Sequence, residues 1–267
     1  MKKNSSTCKL DSREVWSMEQ EVTLKAGERI DQLSSQGVQI IQSSEVFAFS
    51  LDAVLLAAFV RPSQKRRALL VDLCAGNGAV GLFLNRRFAG QVVEVELQQR
   101  LADMADRSIQ LNDLADRYQV INADVKDVYQ YVAKDQADVV VCNPPYFKDQ
   151  PASQKNPNPY LAIARHELTI DLATVCDRMS GLLKMNGHGY LVHRPDRLTE
   201  ILATLADHRL EPKRIQFVYP KPGMDANMVL IEVIKDGKTG GSKIMPGFLV
   251  ADASGEYTPA MKKALYE

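Results

Sequence analysis

The sequence predicts an α/β fold: a mainly parallel sheet of seven strands with an antiparallel hairpin at one edge. Strand-like apolar runs alternate with helix-like segments from Ala68 to His208, the spacing of strand–helix–strand units joined by right-handed crossovers. Two of these runs, Ala68–Leu73 and Ala137–Cys142, are almost uninterruptedly apolar, as in strands covered on both faces. The last two runs, Arg214–Tyr219 and Met228–Ile234, have no convincing helix between them. Pro220-Lys221-Pro222-Gly223 turns one back along the other.

Residues 1–20 are polar with an isolated Trp16, and a poorly ordered arm is expected there. Residues 21–67 form an N-terminal extension. Short strands and turns are expected from Val22 to Ile41, punctuated by Gly27 and Gly37. An apolar helix then runs from Leu51 to Val60, with Ser50 as its N-cap and Arg61-Pro62 as its stop. Residues 68–267 form the main domain. Strand Ala68–Leu73 leads through a glycine-rich turn into a helix from Ala79 to Phe88. Strand Gln91–Glu96, helix Gln98–Asn112, strand Tyr118–Ile121 and strand Ala137–Cys142 follow. A helix Thr169–Lys184, a strand Gly189–His193 and a helix Leu198–His208 lead to the edge hairpin. Lys235–Glu267 reads as irregular structure packed on the domain.

Hydrophobic residues make up 45% of the 267 and charged residues 25%, ordinary for a globular domain with a sizeable core. Lys and Arg number 33, and so do Asp and Glu. Contact with nucleic acid must therefore come from local basic faces. No apolar h-region follows Met1–Ser5, and Ala53–Val60 is too short to span a bilayer, so neither a secretory signal nor a membrane partner is expected. Cys8, Cys74, Cys142 and Cys176 are scattered without a C-x-x-C pair, which argues against a disulfide framework and a structural zinc. His166, His188, His193 and His208 show no metal-ligand spacing. A metal-free monomer in a reducing cytoplasm is the expectation.

The turn Asp72-Leu73-Cys74-Ala75-Gly76-Asn77-Gly78-Ala79-Val80-Gly81 holds G-x-G-x-x-G directly after a strand and opening a helix. Glycines there let the backbone approach a ligand, and the helix N-terminus offers free N–H groups. Glu96 ends the next strand, where an acid accepts hydrogen bonds from ribose hydroxyls. This pair is a nucleotide-cofactor signature open to NAD or to S-adenosylmethionine. Asp72, just before the turn, would repel a pyrophosphate but suits the ammonium of a methionine moiety. Asp124, after the third strand, adds an acceptor for an adenine amine, although a helix N-cap is the plainer use of it. Three acids along one edge favour S-adenosylmethionine.

Asn143-Pro144-Pro145-Tyr146-Phe147 is the most specific feature. Two prolines after a buried strand stop it and hold the chain extended without N–H groups of their own. The carbonyl of Pro144 and the side-chain oxygen of Asn143 then converge as acceptors. An amine on an sp² carbon has a delocalised lone pair and is a poor nucleophile. Two acceptors on its hydrogens orient it and let the nitrogen turn tetrahedral as it attacks, and Tyr146 stacks on the planar group that carries it. No strong base is required.

These residues resemble the class I S-adenosylmethionine-dependent methyltransferases, a Rossmann-like fold, and within them the amino-methylating branch with an N-P-P-Y motif. Gly27–Leu33, Phe49–Ala57, Asp72–Gly81, Asn143–Phe147 and Gly255-Glu256-Tyr257-Thr258 look like the bacterial tRNA-valine adenine-N6 methyltransferase family, over about Glu21 to the C-terminus. The resemblance implies transfer of a methyl group to the adenine 3′ of the anticodon. It implies Asp72, Cys74, Gly76, Asn77, Gly78, Glu96, Asp124 and Asn143 around the cofactor, and Asn143, Pro144 and Tyr146 at the methylated amine. Pro145, Phe147 and Lys148 are further substrate contacts. Residues 1–20 lie outside the match.

A tRNA partner needs phosphate contacts, and candidate donors are Arg61, Lys65, Arg66, Arg67, Lys148, Lys155, Arg165, Lys221, Lys235, Lys238 and Lys243. Phe147–Ala164 has the composition of a lid that orders on RNA. One alternative is methylation of a glutamine amide in a translation release factor, chemistry that suits N-P-P-Y equally well. That family carries a helical N-terminal domain, whereas residues 21–67 are short and mixed. A protein that binds cofactor and RNA without catalysis is the other, and a dehydrogenase comes last for want of an acid–base constellation.

Overall fold

The computed structural model describes residues 22–33, 37–46, 49–146 and 170–266. A hairpin opens it, β1 (Glu28–Gln32) against β2 (Gln39–Ser43), with Ile30 opposite Ile41. Helix α1 (Leu51–Phe59) follows. Strand β3 (Leu69–Leu73) leads into α2 (Ala79–Leu84), and β4 (Gln91–Glu96) into α3 (Gln99–Leu111). Next come β5 (Tyr118–Asn122), a 3-10 turn at Val125–Gln130 and β6 (Ala137–Cys142). Helix α4 (Leu172–Leu182) is followed by β7 (Leu183–His193), α5 (Leu198–Asp207), β8 (Leu210–Tyr219) and β9 (Met228–Lys235). Two short strands, β10 (Lys243–Ile244) and β11 (Phe248–Leu249), precede α6 (Pro259–Tyr266).

The sheet runs β10-β8-β9-β7-β6-β3-β4-β5, with β11 also on β8. Of the seven long strands, β9 alone opposes its neighbours, pairing antiparallel with both β7 and β8. The edge hairpin is therefore present, with its second strand tucked inside its first, and the two-residue strands extend the β8 edge. From β3 the sheet grows one way through β4 and β5 and the other way through β6 and β7. Chain crossovers diverge there, leaving a crevice at the C-terminal ends of the strands.

Period-two alternation makes the sheet the middle of three layers. In β6, Val139 and Val141 face the layer of α1, α2, α3 and α6, while Val140 and Cys142 face α4 and α5. In β3, Leu70 faces the first layer and Val71 and Leu73 the second. Each such Leu or Val side chain contributes about 1.5–3 kcal/mol of burial. The β1–β2 hairpin docks separately, with Ile41 and Val46 packed on Leu101 and Met104 of α3.

Several boundaries differ from the sequence expectation, among them the start of β8 at Leu210 rather than Arg214. Helix α2 stops at Leu84, and three residues on the Arg87 guanidinium donates to the carbonyls of Ala57 (2.6 Å) and Val60 (2.7 Å) at the end of α1. Helix α4 yields to strand at Leu183, so β7 begins well before Gly189 and absorbs a register shift opposite Ala137 and Val139. The C-terminal stretch is not irregular throughout. Thr258 Oγ1 accepts from the Met261 amide (3.2 Å) at the start of α6, and Met261 is fully buried in the first layer.

Two of the basic residues proposed for RNA are committed elsewhere. Lys235 is buried, its ammonium bonded to Asp135 and to the Leu183 carbonyl (2.8 Å). Arg61 pairs through Nε with Glu232 at 2.9 Å. The neighbouring Lys65, Arg66 and Arg67 precede β3, at the end of the sheet opposite the crevice.

Glu232 is fully buried in β9, and its carboxylate also accepts from Arg214, His188 Nδ1 (2.9 Å) and the Tyr190 hydroxyl (3.1 Å). Burial pushes its pKa up, but the bonds from His188 and Arg214 and the charges of Arg214 and Arg61 outweigh this and bring it down to about 2. A depressed carboxyl stabilises the fold fully above its ordinary value of 4.5 and loses that contribution as pH falls toward 2. Glu232→Gln leaves two guanidinium groups without their anion and should lower unfolding free energy by about 3 kcal/mol at neutral pH in denaturant titrations. The deficit should shrink as pH drops through the same interval.

Candidate active site

Leu73 stands opposite Cys142 in the parallel β3–β6 ladder, so the chains that follow leave the sheet side by side. One becomes the glycine turn and the other the Asn-Pro-Pro-Tyr tetrapeptide. Between them lies a cavity of about 400 Å³. Its walls include Cys74, Ala75, Gly76 and Asn77 from the turn, Glu96 and Gln98 after β4, Asp124 after β5, and Asn143, Pro144, Pro145 and Tyr146 after β6.

Backbone conformation explains the turn. Cys74, Gly76 and Gly78 have φ of 60°, 60° and 81°, a left-handed run that reverses the chain tightly enough to start α2 at once. A Cβ at Gly76 would meet nothing within 4 Å, so its open side faces empty space. At Gly81, in α2, a Cβ would fall 2.1 Å from Glu94 Oε1, which is why the helix can lie so close on the sheet. Asn77 is buried and donates to the Ile41 carbonyl (3.1 Å), tying the turn to the β1–β2 hairpin.

The acids divide into two groups. Glu96 lines the cavity and accepts from the amides of Gly76 and Gln98, both at 2.8 Å; burial nonetheless raises its pKa. Asp124 also lines the cavity while accepting from the Lys126 amide (2.9 Å), so the capping use and the cavity position coexist. Asp72 is different. Only 1% exposed, it does not line the cavity, because alternation along β3 turns it into the layer beneath α2, in register with Glu94. Among the described residues the oxygens of Glu94 have no hydrogen-bond partner, and those of Asp72 have only the Gly81 backbone amide nearby. Burial holds both carboxyls well above the ordinary range, reinforced for Asp72 by the charge of Glu96 and for Glu94 by that of Asp72, and opposed for Asp72 by the Gly81 amide. Gly78 likewise lies behind the wall, its φ opening α2.

At the tetrapeptide, the Tyr146 hydroxyl donates to Asp52 Oδ2 (2.8 Å) and is bonded to Asn143 Oδ1. Its backbone carbonyl accepts from Arg197 Nη1 (2.9 Å), and its ring tilts 58° against His193 with centroids 5.2 Å apart. His193 Nδ1 accepts from the Arg194 amide (2.8 Å), and burial brings its pKa down to about 4, so the imidazole is neutral. Phe147 and Lys148, like Lys155, Arg165 and the expected lid, lie outside the described residues.

The polar wall residues Ser50, Asp52, Gln98, Arg194 and Asn227 carry no sequence signal that marks them as site residues. Ser50 was legible only as a helix cap, yet its side chain makes no capping bond. Asp52 sits on an apolar helix, and Arg194 and Asn227 flank strands far along the chain. Ser50 Oγ, Gln98 Oε1 and Asn227 Oδ1 are buried in this wall without partners, where a polar ligand satisfies them. With the open side of Gly76 and an acid at the end of β4, these groups fit a nucleoside-bearing cofactor. Among the described residues no group of three His, Cys, Asp or Glu side chains is placed to hold a metal, and no helix is long and apolar enough to cross a membrane.

Residues 38–179 match the family model described as a methyltransferase small domain. Over 188 residues the chain is 29% identical to the tRNA1(Val) (adenine(37)-N6)-methyltransferase of Shewanella sp. (strain MR-4), covering 70% of this chain and 77% of that one. The enzyme of the same name from Aeromonas hydrophila subsp. hydrophila is 32% identical over 68% of this chain and 74% of its own. Among solved structures, a predicted O-methyltransferase, protein Atu636 from Agrobacterium tumefaciens, superposes with a TM-score of 0.63 at 25% identity, over 80% of this chain and 97% of that one.

Gly76→Val puts a branched side chain into the cavity at a left-handed residue. It should cost about 1–2 kcal/mol of stability and weaken S-adenosylmethionine binding by calorimetry. Unchanged affinity would place the cofactor elsewhere.

Proposed function

The chain belongs to the methyltransferase small-domain family, and from that premise we propose that it transfers a methyl group from S-adenosylmethionine to the N6 amine of an adenine in tRNA, the adenine just 3′ of the anticodon in a valine tRNA. The observation that carries this reading is the shared cavity, in which a cofactor turn and an amine-gripping tetrapeptide end on neighbouring strands.

When bound, S-adenosylmethionine supplies a methyl group made electrophilic by its sulfonium. The chain's own groups bind and orient. Glu96 offers oxygens to ribose hydroxyls, Gly76 lets backbone amides approach, and Asp124 accepts from an adenine amine. Cys74, Asn77 and Gln98 complete that wall, with Asp72 and Gly78 supporting the turn from behind. Asn143 Oδ1 and the Pro144 carbonyl accept the two N6 hydrogens and hold the nitrogen toward the methyl group. Tyr146 and Pro145 cover the face of the ring, and Phe147 and Lys148 extend the contact. The amine would keep both hydrogens while the methyl carbon passes from sulfur to nitrogen and the donor becomes a neutral thioether, and the cationic nitrogen would then shed one proton to water, so no strong base is needed. Splaying the base out of its loop costs a few kcal/mol, which phosphate contacts offset. Lys221, exposed just after β8, is a donor at the end of the sheet where the cavity lies.

The described residues before the main sheet form a hairpin and one helix, which supports the tRNA reading over the release-factor alternative. Incubation with labelled S-adenosylmethionine, unmodified tRNA and release factor should yield N6-methyladenosine on nucleoside analysis of the tRNA. Label in the release factor would reverse the assignment. Asn143→Ala should cut transfer about a hundredfold or more while cofactor binding persists.

A further inference from the structure

Tyr146 holds a single hydroxyl proton between two oxygens, Asp52 Oδ2 at 2.8 Å and Asn143 Oδ1. A hydroxyl has one proton to donate, and whichever oxygen receives it loses part of its capacity to accept another. The two oxygens differ in kind. Asp52 offers a carboxylate, the stronger acceptor. Asn143 Oδ1 is the oxygen that the amine of the substrate requires.

The surroundings leave the proton little other freedom. Arg197 pins the Tyr146 carbonyl and His193 bounds its ring, so rotation of the O–H bond is the remaining motion. The phenol keeps its proton, since burial and the charge of Asp52 raise its pKa well above the usual value. Asp52 lies on the first turn of α1, an element that the reaction otherwise does not involve, yet it shares the cavity wall with Asn143.

Resting on the tRNA-methylation reading above, we infer that Asp52 is a positioning residue: it draws the Tyr146 hydroxyl proton to itself and so leaves Asn143 Oδ1 free to accept from the amine being methylated. Without Asp52 the hydroxyl turns wholly to Asn143 and competes with the substrate. A function of this kind vanishes when the hydroxyl is absent, which separates it from any direct contact of Asp52 with cofactor or RNA.

The test is a double-mutant cycle of Asp52→Ala and Tyr146→Phe, with kcat for methyl transfer to tRNA, KM for tRNA and S-adenosylmethionine affinity measured for each protein. Asp52→Ala should lower kcat roughly tenfold, the equivalent of one hydrogen bond, with cofactor affinity unmoved. Asp52→Asn, whose amide oxygen is no stronger an acceptor than that of Asn143, should give a loss intermediate between the unaltered protein and Asp52→Ala. In the Tyr146→Phe background the loss of Asp52 should cost less than about twofold. An equal loss in both backgrounds would overturn the inference. Should Asp52→Ala fail to fold in a thermal melt, Asp52→Ser serves the same cycle. Absence of transfer by the unaltered protein overturns the tRNA reading and this inference with it, whereas transfer without coupling overturns the inference alone.

Discussion

The hydrogen-bonded register of β3 against β6, with Leu73 facing Cys142, is the contact from which the site follows. Parallel neighbours that end together deliver their next residues to one place, here a left-handed glycine turn and an extended proline-stopped segment. A one-residue slip of either strand in that ladder would turn that strand's side chains to the opposite layer and offset the two segments. The register is fixed by burial on both faces. Val71, Leu73, Val140 and Cys142 pack on one side, and Leu70, Val139 and Val141 on the other, leaving no solvent-facing alternative.

Electrostatics divides the buried carboxyls by what they touch. Glu232, ringed by two arginines, a histidine and a tyrosine, stays charged and clamps the β8–β9 hairpin to the end of α1. Asp72 and Glu94, buried beneath α2 without a charged partner of opposite sign, have carboxyls pushed well above the ordinary range. Glu96 lies between these extremes, with backbone amides on both oxygens and one side open to the cavity. Of these acids Glu96 and Asp124 line the cavity, and Asp72 lies behind it.

Much of this was legible in the sequence where local chemistry and the sheet agree. β4 and β6 end where the apolar runs end, and the glycine turn and the tetrapeptide each sit at a strand terminus. Legibility failed where long-range contacts decide. Helix α2 ends before an arginine that caps a different helix, β7 is lengthened by pairing with β6, and α6 buries Met261 in the first layer. An acid before a glycine turn gives no sign of which face of the strand it occupies, and Asp72 faces the layer beneath α2. Asp52, Arg194 and Asn227 carry no motif, and tertiary folding alone brings them to the cavity. The basic residues misled in the same way, since composition does not distinguish Lys235, buried against Asp135, from an exposed phosphate donor.

A crystal structure with S-adenosylhomocysteine and adenosine bound together tests the central claim most directly. The thioether sulfur should lie in the cavity between the Cys74–Asn77 turn and Asn143–Tyr146, with the adenosine amine within hydrogen-bond distance of Asn143 Oδ1. Cofactor density outside that cavity, or an adenine whose amine turns away from the tetrapeptide, would contradict it.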